Sequence, residues 1–64
     1  MVKINGEMYD FAGKSITDAL AELNYNPLRV AVEVNFSIVP KAEFNEYLLK
    51  DDDSVEVVQF VGGG

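Results

Sequence analysis

The chain is short and acidic, and both properties limit what it can do. It has 64 residues with no cysteine and no histidine, and eleven acidic against five basic side chains give a net charge of −6. A chain of this length forms one small domain, whose core must hold by packing without disulfides. The charge argues against nucleic acid as a partner, and no segment approaches the ~20 apolar residues of a membrane span. We expect a cytoplasmic protein that binds neither nucleic acid nor membrane.

The first eleven residues predict a β-hairpin. Val2 and Ile4 alternate with polar residues, and Asn5-Gly6 is the dipeptide best suited to a two-residue turn. A second strand is predicted over residues 7–11. The two-residue loop sets the register, which gives one apolar face made of Val2, Ile4, Tyr9 and Phe11.

A helix is predicted to follow this hairpin. Ser15 stands where an N-cap is expected, and Asp18 three residues later completes a near capping box. Apolar residues then recur at helical spacing and form one stripe, made of Ile16, Ala19, Leu20 and Leu23. The helix should end before Pro27, because proline disfavours helical geometry in the preceding residue.

The middle of the chain predicts a strand, a turn and a short helical segment. Residues 29–35 alternate as a strand with Val30, Val32 and Val34 on one face. Residues 35–37 are predicted to turn into an extended pair at 38–39. Pro40 favours the first turn of a helix, so residues 41–45 should form one helical turn with Phe44 as its core anchor.

Two further segments are less regular. Residues 47–50 fit either a helix end or extended chain. Residues 51–53 are three consecutive aspartates, for which we predict a solvated tight turn. We expect no metal there, because three adjacent carboxylates without further ligands do not converge on one ion.

The last strand leads into three glycines. Residues 54–61 are predicted to be extended, with Val55 and Val57 on one face and Glu56, Val58 and Phe60 on the other. Gly62, Gly63 and Gly64 have no side chain to pack, so we predict a domain over residues 1–61 and a flexible tail over residues 62–64. Such a tail can thread a narrow channel of a partner and present the Gly64 carboxylate, or it can be a solvated end without function.

Together these elements predict an α+β domain with one open sheet face. One helix can cover only one face of a mixed sheet of four or five strands. The opposite face should carry an apolar patch among the acids Asp10, Glu33 and Glu56, and we predict that this patch binds a partner. Its residues are Met8, Ala31, Val58 and Phe60. The order of strands and helix resembles the ubiquitin-like β-grasp fold.

The sequence resembles a family over essentially its whole length. The Asn5-Gly6 hairpin, the Ser15 helix start, the VAVEVN and IVP segments within residues 30–40, and the glycine end are similar to the sulfur carrier proteins of thiamine biosynthesis. Two positions depart from the family pattern. Asp52 stands in the middle of an acidic turn that often reads D-G-D, and Phe36 stands where the hairpin commonly has glycine. Phe disfavours a left-handed backbone, so we expect that loop to differ in form.

The resemblance implies a protein substrate and not a catalyst, with no catalytic residue and no bound cofactor or metal. A partner adenylyltransferase resembling ubiquitin-activating enzymes would use ATP to adenylate the Gly64 carboxylate. Sulfur from a persulfide donor would then give a C-terminal thiocarboxylate, with Gly62 and Gly63 lying in the partner's channel. Thiazole synthase would take that sulfur, and the free carrier would be a monomer.

Other functions remain open at this point. The chain could carry sulfur for molybdopterin or another pathway, or act as a ubiquitin-like binding module or protein modifier. Glu43 and Glu46 form a carboxylate pair on the short helical segment, but acidic surface explains them without acid-base chemistry.

Overall fold

A computed structural model describes residues 1–60 of the chain. Within this range the strands are β1 (Val2–Ile4), β2 (Glu7–Tyr9), β3 (Val30–Val34), β4 (Ser37–Val39) and β5 (Ser54–Gln59), and the α-helix is α1 (Ile16–Glu22). Two 3₁₀ turns cover Pro27–Arg29 and Lys41–Glu43. No helix in this range is long and apolar enough to cross a membrane.

The five strands form one mixed sheet in the order β2-β1-β5-β3-β4. The central strand β5 pairs in parallel with β1 and antiparallel with β3. The two outer pairs are antiparallel hairpins. The predicted α+β class and mixed sheet are therefore confirmed.

Both hairpins close through two residues with left-handed backbone. Asn5 and Gly6 have φ of 50° and 86°, and Val2 pairs with Tyr9 as the sequence predicted. Asn35 and Phe36 have φ of 51° and 71°. Phe36 therefore adopts the left-handed backbone that phenylalanine disfavours, in a two-residue turn like the one at Asn5-Gly6. The predicted turn over residues 35–37 is one residue too long, because Ser37 already pairs with Val34.

Helix α1 packs its apolar stripe on one face of the sheet. Ser15 caps it as predicted, because its hydroxyl accepts a hydrogen bond of 3.0 Å from the Asp18 backbone N–H. Leu23 is half-buried at the C-cap, and the remaining stripe residues are buried. They meet the covered sheet face in one core, which includes Ile16, Ala19, Leu20, Val2, Ile4, Phe11, Val30, Val32, Val34, Val55 and Val57.

Four predicted elements are shorter in the structure. Strand β5 ends at Gln59, so Phe60 does not belong to it, contrary to the prediction. Strand β2 ends at Tyr9 and not at Phe11, because β1 begins at Val2 and the ladder has no further partner. Phe11 nevertheless remains buried and stacks on Tyr9, with ring centroids 5.0 Å apart. Strand β3 begins at Val30, since Arg29 belongs to a 3₁₀ turn. The predicted helical turn over residues 41–45 is a 3₁₀ turn, and Phe44 beside it is buried as predicted.

The two irregular segments contribute to the core. Leu48 forms an isolated bridge with Ser15, and Leu49 is buried, so residues 47–50 are closer to extended chain than to helix. In the acidic turn Asp51 and Asp52 are exposed, as predicted. The prediction of a solvated turn is wrong for Asp53, which is 6% exposed. Its carboxylate accepts hydrogen bonds from the Lys50 backbone N–H and the Asn35 side-chain amide.

Candidate functional site

The end of strand β5 is fixed to two neighbouring segments. The Phe60 backbone N–H donates a hydrogen bond of 2.8 Å to the Arg29 carbonyl. The Lys41 ammonium lies 5.4 Å from the centroid of the Phe60 ring and donates a hydrogen bond of 3.0 Å to the Val30 carbonyl. These contacts hold Phe60, the last described residue, at a fixed place where the C-terminal segment begins.

Three of the four predicted partner-binding residues lie together. Val58 pairs directly with Ala31 across β5 and β3, and Phe60 lies two residues further along the chain, just after β5, on the same face by the alternation of a strand. Val58 is 55% exposed and Phe60 48% exposed, while Ala31 is half-buried. We call Ala31, Val58 and Phe60 the docking face.

Met8 lies apart from the docking face. It is exposed on the outer strand β2, opposite Lys3, and Lys3 in turn pairs with Ser54 on β5. Met8 is thus two strands and four residues away from Val58, a separation of about 16 Å from standard strand geometry. The period-two pattern assigned it to the correct side of the sheet but could not supply the strand order.

The sequence analysis missed Ile38 as a surface residue. It is 73% exposed and pairs with Glu33, so it lies on the same side of the sheet as the docking face. A two-residue turn at Asn35-Phe36, like the one at Asn5-Gly6, would have given this register directly. Lys41 was also missed, because its contact with Phe60 joins residues far apart in sequence.

Carboxylates lie beside these apolar residues. Glu33 pairs directly with Glu56 on the open side of the sheet, next to the Ala31–Val58 pair. Within residues 1–60, neither carboxylate forms an ion pair. Like charges placed opposite each other on neighbouring strands destabilise a sheet. A partner with basic side chains at this position would relieve that repulsion.

The described residues give no cluster suited to a metal ion. No group of three or more His, Cys, Asp or Glu side chains within residues 1–60 is arranged to hold one. Asp53 in the acidic turn instead serves as a hydrogen-bond acceptor inside the fold.

The predicted acyl site lies beyond the described part of the chain. Gly62, Gly63 and Gly64 fall outside residues 1–60, as does Val61, with which the predicted domain was to end. The predicted boundary at residue 61, the flexibility of the tail and the role of Gly64 therefore stay predictions.

Comparison with known proteins identifies the family. The family model described as "ThiS family" matches residues 2–64. This chain belongs to the ThiS family. A crystal structure of the thiamine biosynthesis protein ThiS from Geobacter metallireducens is similar to it with a TM-score of 0.79 and 31% identity, covering 98% of this chain and 97% of that one. The ubiquitin-like β-grasp fold of the ThiS family is thus confirmed.

Two curated relatives in other organisms differ greatly in length. The chain is 36% identical to the sulfur carrier protein ThiS of Bacillus subtilis, and the match covers 100% of both. It is 42% identical to a protein named thiazole synthase in Paramagnetospirillum magneticum, over 95% of this chain and 19% of that protein. The chain therefore spans about a fifth of the length of that second relative.

Proposed function

We propose that this chain is a sulfur carrier in thiamine biosynthesis, and that its reactive group is the carboxylate of Gly64. The observation that supports this most directly is the family match over residues 2–64, together with the full-length similarity to a relative named sulfur carrier protein. The protein is then a substrate of other enzymes and not itself a catalyst. A cytoplasmic location stays a prediction.

The chemistry proposed at Gly64 begins with activation of a poor electrophile. The carboxylate oxygen attacks the α-phosphorus of ATP in a partner adenylyltransferase, which gives an acyl-adenylate and releases pyrophosphate. A persulfide sulfur then attacks the acyl carbon, and AMP leaves. Cleavage of the resulting acyl disulfide by a thiol reductant gives the thiocarboxylate. Glycine suits the acyl position because it has no Cβ to obstruct these attacks.

Thiazole synthase is the enzyme proposed to use the sulfur. The supporting observation is the 42% identical relative named thiazole synthase, of which the matched segment forms 19%. In the proposed reaction the thiocarboxylate sulfur is transferred to the thiazole precursor. An oxygen atom from the precursor or from water takes its place on the acyl carbon, which regenerates the Gly64 carboxylate for another cycle.

The first test changes the C-terminus and leaves residues 1–60 untouched. We expect that deleting Gly64, or adding one residue after it, abolishes ATP-dependent adenylation and formation of the thiocarboxylate. The melting temperature should not change, because neither the core nor a strand is altered. The measurement is the intact mass of the chain after incubation with the adenylyltransferase, ATP and sulfur donor from the same organism. The thiocarboxylate is recognised by the mass change for replacement of one oxygen by sulfur.

A variant with the exposed Leu48 changed to alanine is the matched control, because Leu48 lies beside Ser15 and not on the docking face. It should be adenylated like the unmodified chain. Equal adenylation of the variant with one residue added after Gly64 would contradict the assignment of Gly64 as the reactive residue. Thiocarboxylate formation without sulfur transfer to the thiazole precursor by thiazole synthase would assign the carrier to another pathway.

A second prediction concerns Phe60 at the base of the tail. Phe60→Ser should fold with a nearly unchanged melting temperature, because the side chain is 48% exposed and its loss opens no core cavity. Binding to the adenylyltransferase should weaken about tenfold, since a large apolar side chain at the centre of a contact typically dominates its affinity. Calorimetry measures both quantities.

The loss of affinity should persist at high salt, because an apolar contact is not screened. Leu48→Ala is again the control for a general effect of removing an exposed apolar side chain. Collapse of the fold in Phe60→Ser, or unchanged affinity, would show that the adenylyltransferase contacts another surface.

A further inference from the structure

A second exposed apolar surface lies on the β3–β4 hairpin. Phe36 in the turn is 91% exposed, and Ile38 on the outer strand β4 is 73% exposed. We call these two residues the hairpin-tip surface. Large apolar side chains this exposed contribute little to folding, so their presence together needs another reason.

Phe36 is unfavourable for the folded chain on two counts. Its φ of 71° lies in the left-handed region, where a side chain with a Cβ atom strains the backbone. Its ring is almost wholly in water. The Asn5-Gly6 turn has nearly the same geometry and uses glycine at the equivalent place, so the turn itself requires no phenylalanine. Strain retained without benefit to the fold marks a position with a functional role.

The hairpin tip and the tail lie at opposite ends of the sheet. Asn35 is hydrogen-bonded to Ser54, where β5 begins, and Phe60 follows the end of β5. Strand β5 has six residues, so the two ends are separated by about 20 Å. A partner that contacts both ends is therefore held in one orientation relative to the tail, which a single contact at Phe60 does not ensure.

Charge decides what kind of molecule fits the hairpin-tip surface. Ile38 pairs with Glu33, which faces Glu56, and the acidic turn with Asp53 adjoins Asn35. Two copies of a chain with net charge −6 would bring these carboxylates together. The surface instead fits a different protein, with an apolar pocket for Phe36 and basic side chains around it.

We propose that thiazole synthase contacts the hairpin-tip surface as well as the docking face, and that the two contacts together fix how the carrier presents its tail. This inference rests on the proposed function. The choice of thiazole synthase follows from the relative of that name, in which a segment similar to this chain is part of the same polypeptide. Phe36 and Ile38 act as positioning residues and take no part in the chemistry.

The test compares matched variants of the full chain, residues 1–64, for binding to thiazole synthase of the same organism by calorimetry. Phe36→Gly and Ile38→Thr should each raise Kd about tenfold. Leu48→Ala should leave it unchanged. Phe36→Gly should also raise the melting temperature, because glycine adopts the left-handed backbone without strain. Weaker binding by a more stable protein would separate a docking role from a structural one.

Three outcomes would overturn this proposal. Unchanged Kd in both hairpin variants, with a raised Kd in Phe60→Ser, would leave the docking face as the contact and exclude the tip. A dimer of the unmodified chain that Phe36→Gly dissociates, seen by sedimentation, would assign the tip to self-association. No binding of the unmodified chain to thiazole synthase would exclude this partner. Adenylation of Gly64, measured without the synthase, tests the proposed function separately.

Discussion

Two asparagines hold the central strand from both sides. The Asn5 side chain accepts a hydrogen bond of 2.8 Å from the Val57 N–H and donates one of 3.1 Å to the Val57 carbonyl. Asn35 makes a similar exchange with Ser54, since its backbone N–H donates to the Ser54 carbonyl and its side chain accepts from the Ser54 N–H. Asn5-Gly6 predicted its turn, but the bonds to β5 depend on a strand some fifty residues away, which no local pattern contains.

Asp53 extends this arrangement and gives a prediction at the residue scale. Its two oxygens accept from the Asn35 amide at 3.0 Å and the Lys50 N–H at 2.8 Å, within a site that is 6% exposed. Asp53→Ala removes both acceptors and should lower the free energy of unfolding by about 2–4 kcal/mol, as expected for two hydrogen bonds to a charged acceptor. In a domain this small the melting temperature should fall by more than about 8 °C, measured by circular dichroism.

Asp53→Asn serves as the graded control, because its amide oxygen still accepts from one of the two donors. It should lie between the unmodified chain and Asp53→Ala in melting temperature. Asp52→Asn removes the same charge at an exposed position and should change stability little. Equal melting temperatures for Asp53→Ala and Asp52→Asn would show that the buried carboxylate does not stabilise the turn.

Elements with a local signal were predictable from the sequence. The helix followed from its cap and apolar spacing, and the first hairpin followed from Asn5-Gly6, because both signals lie within a few residues. The ends of strands were less predictable, since a strand continues only while its neighbour supplies pairing partners. Residues 41–45 show a similar limit, because Pro40 favours a helical turn but does not distinguish α-helical from 3₁₀ bonding.

For the candidate site, the alternation of side chains along a strand predicted only which side of the sheet each residue occupies. Alternation placed Val58 and Phe60 on the open side of β5, and the structure places Ala31 beside them. It could not place Met8, because the separation depends on the order β2-β1-β5. It also gave no sign of Lys41, whose position over the Phe60 ring is set by the 3₁₀ turn after β4.

At the scale of the whole molecule, the excess negative charge acts on the amino-terminal ammonium and on Lys14. The Met1 ammonium donates a hydrogen bond to the exposed Asp51 carboxylate. This bond, together with the charges of Asp52 and Asp10, raises the pKa of the ammonium above its ordinary value of 8.0. Glu22 similarly raises the pKa of Lys14 above 10.5, through a hydrogen bond within an ion pair of 2.7 Å.

The raised pKa of the Met1 ammonium predicts a loss of stability on the alkaline side. A pKa raised on folding means that the folded chain retains a proton that the unfolded chain has released. The stabilisation is therefore fully present below pH 8.0 and is lost as pH rises through the folded pKa. Melting temperatures from pH 7 upward should fall beyond about pH 8, before the lysines of the unfolded chain titrate near pH 10.4.

Asp51→Asn should flatten this decline in melting temperature, because it removes the largest cause of the raised pKa. Asp52→Asn makes the same change in net charge but keeps the hydrogen bond to Asp51, so it should retain most of the decline. If both variants flatten the decline equally, general charge repulsion and not the Met1–Asp51 bond governs stability in this range.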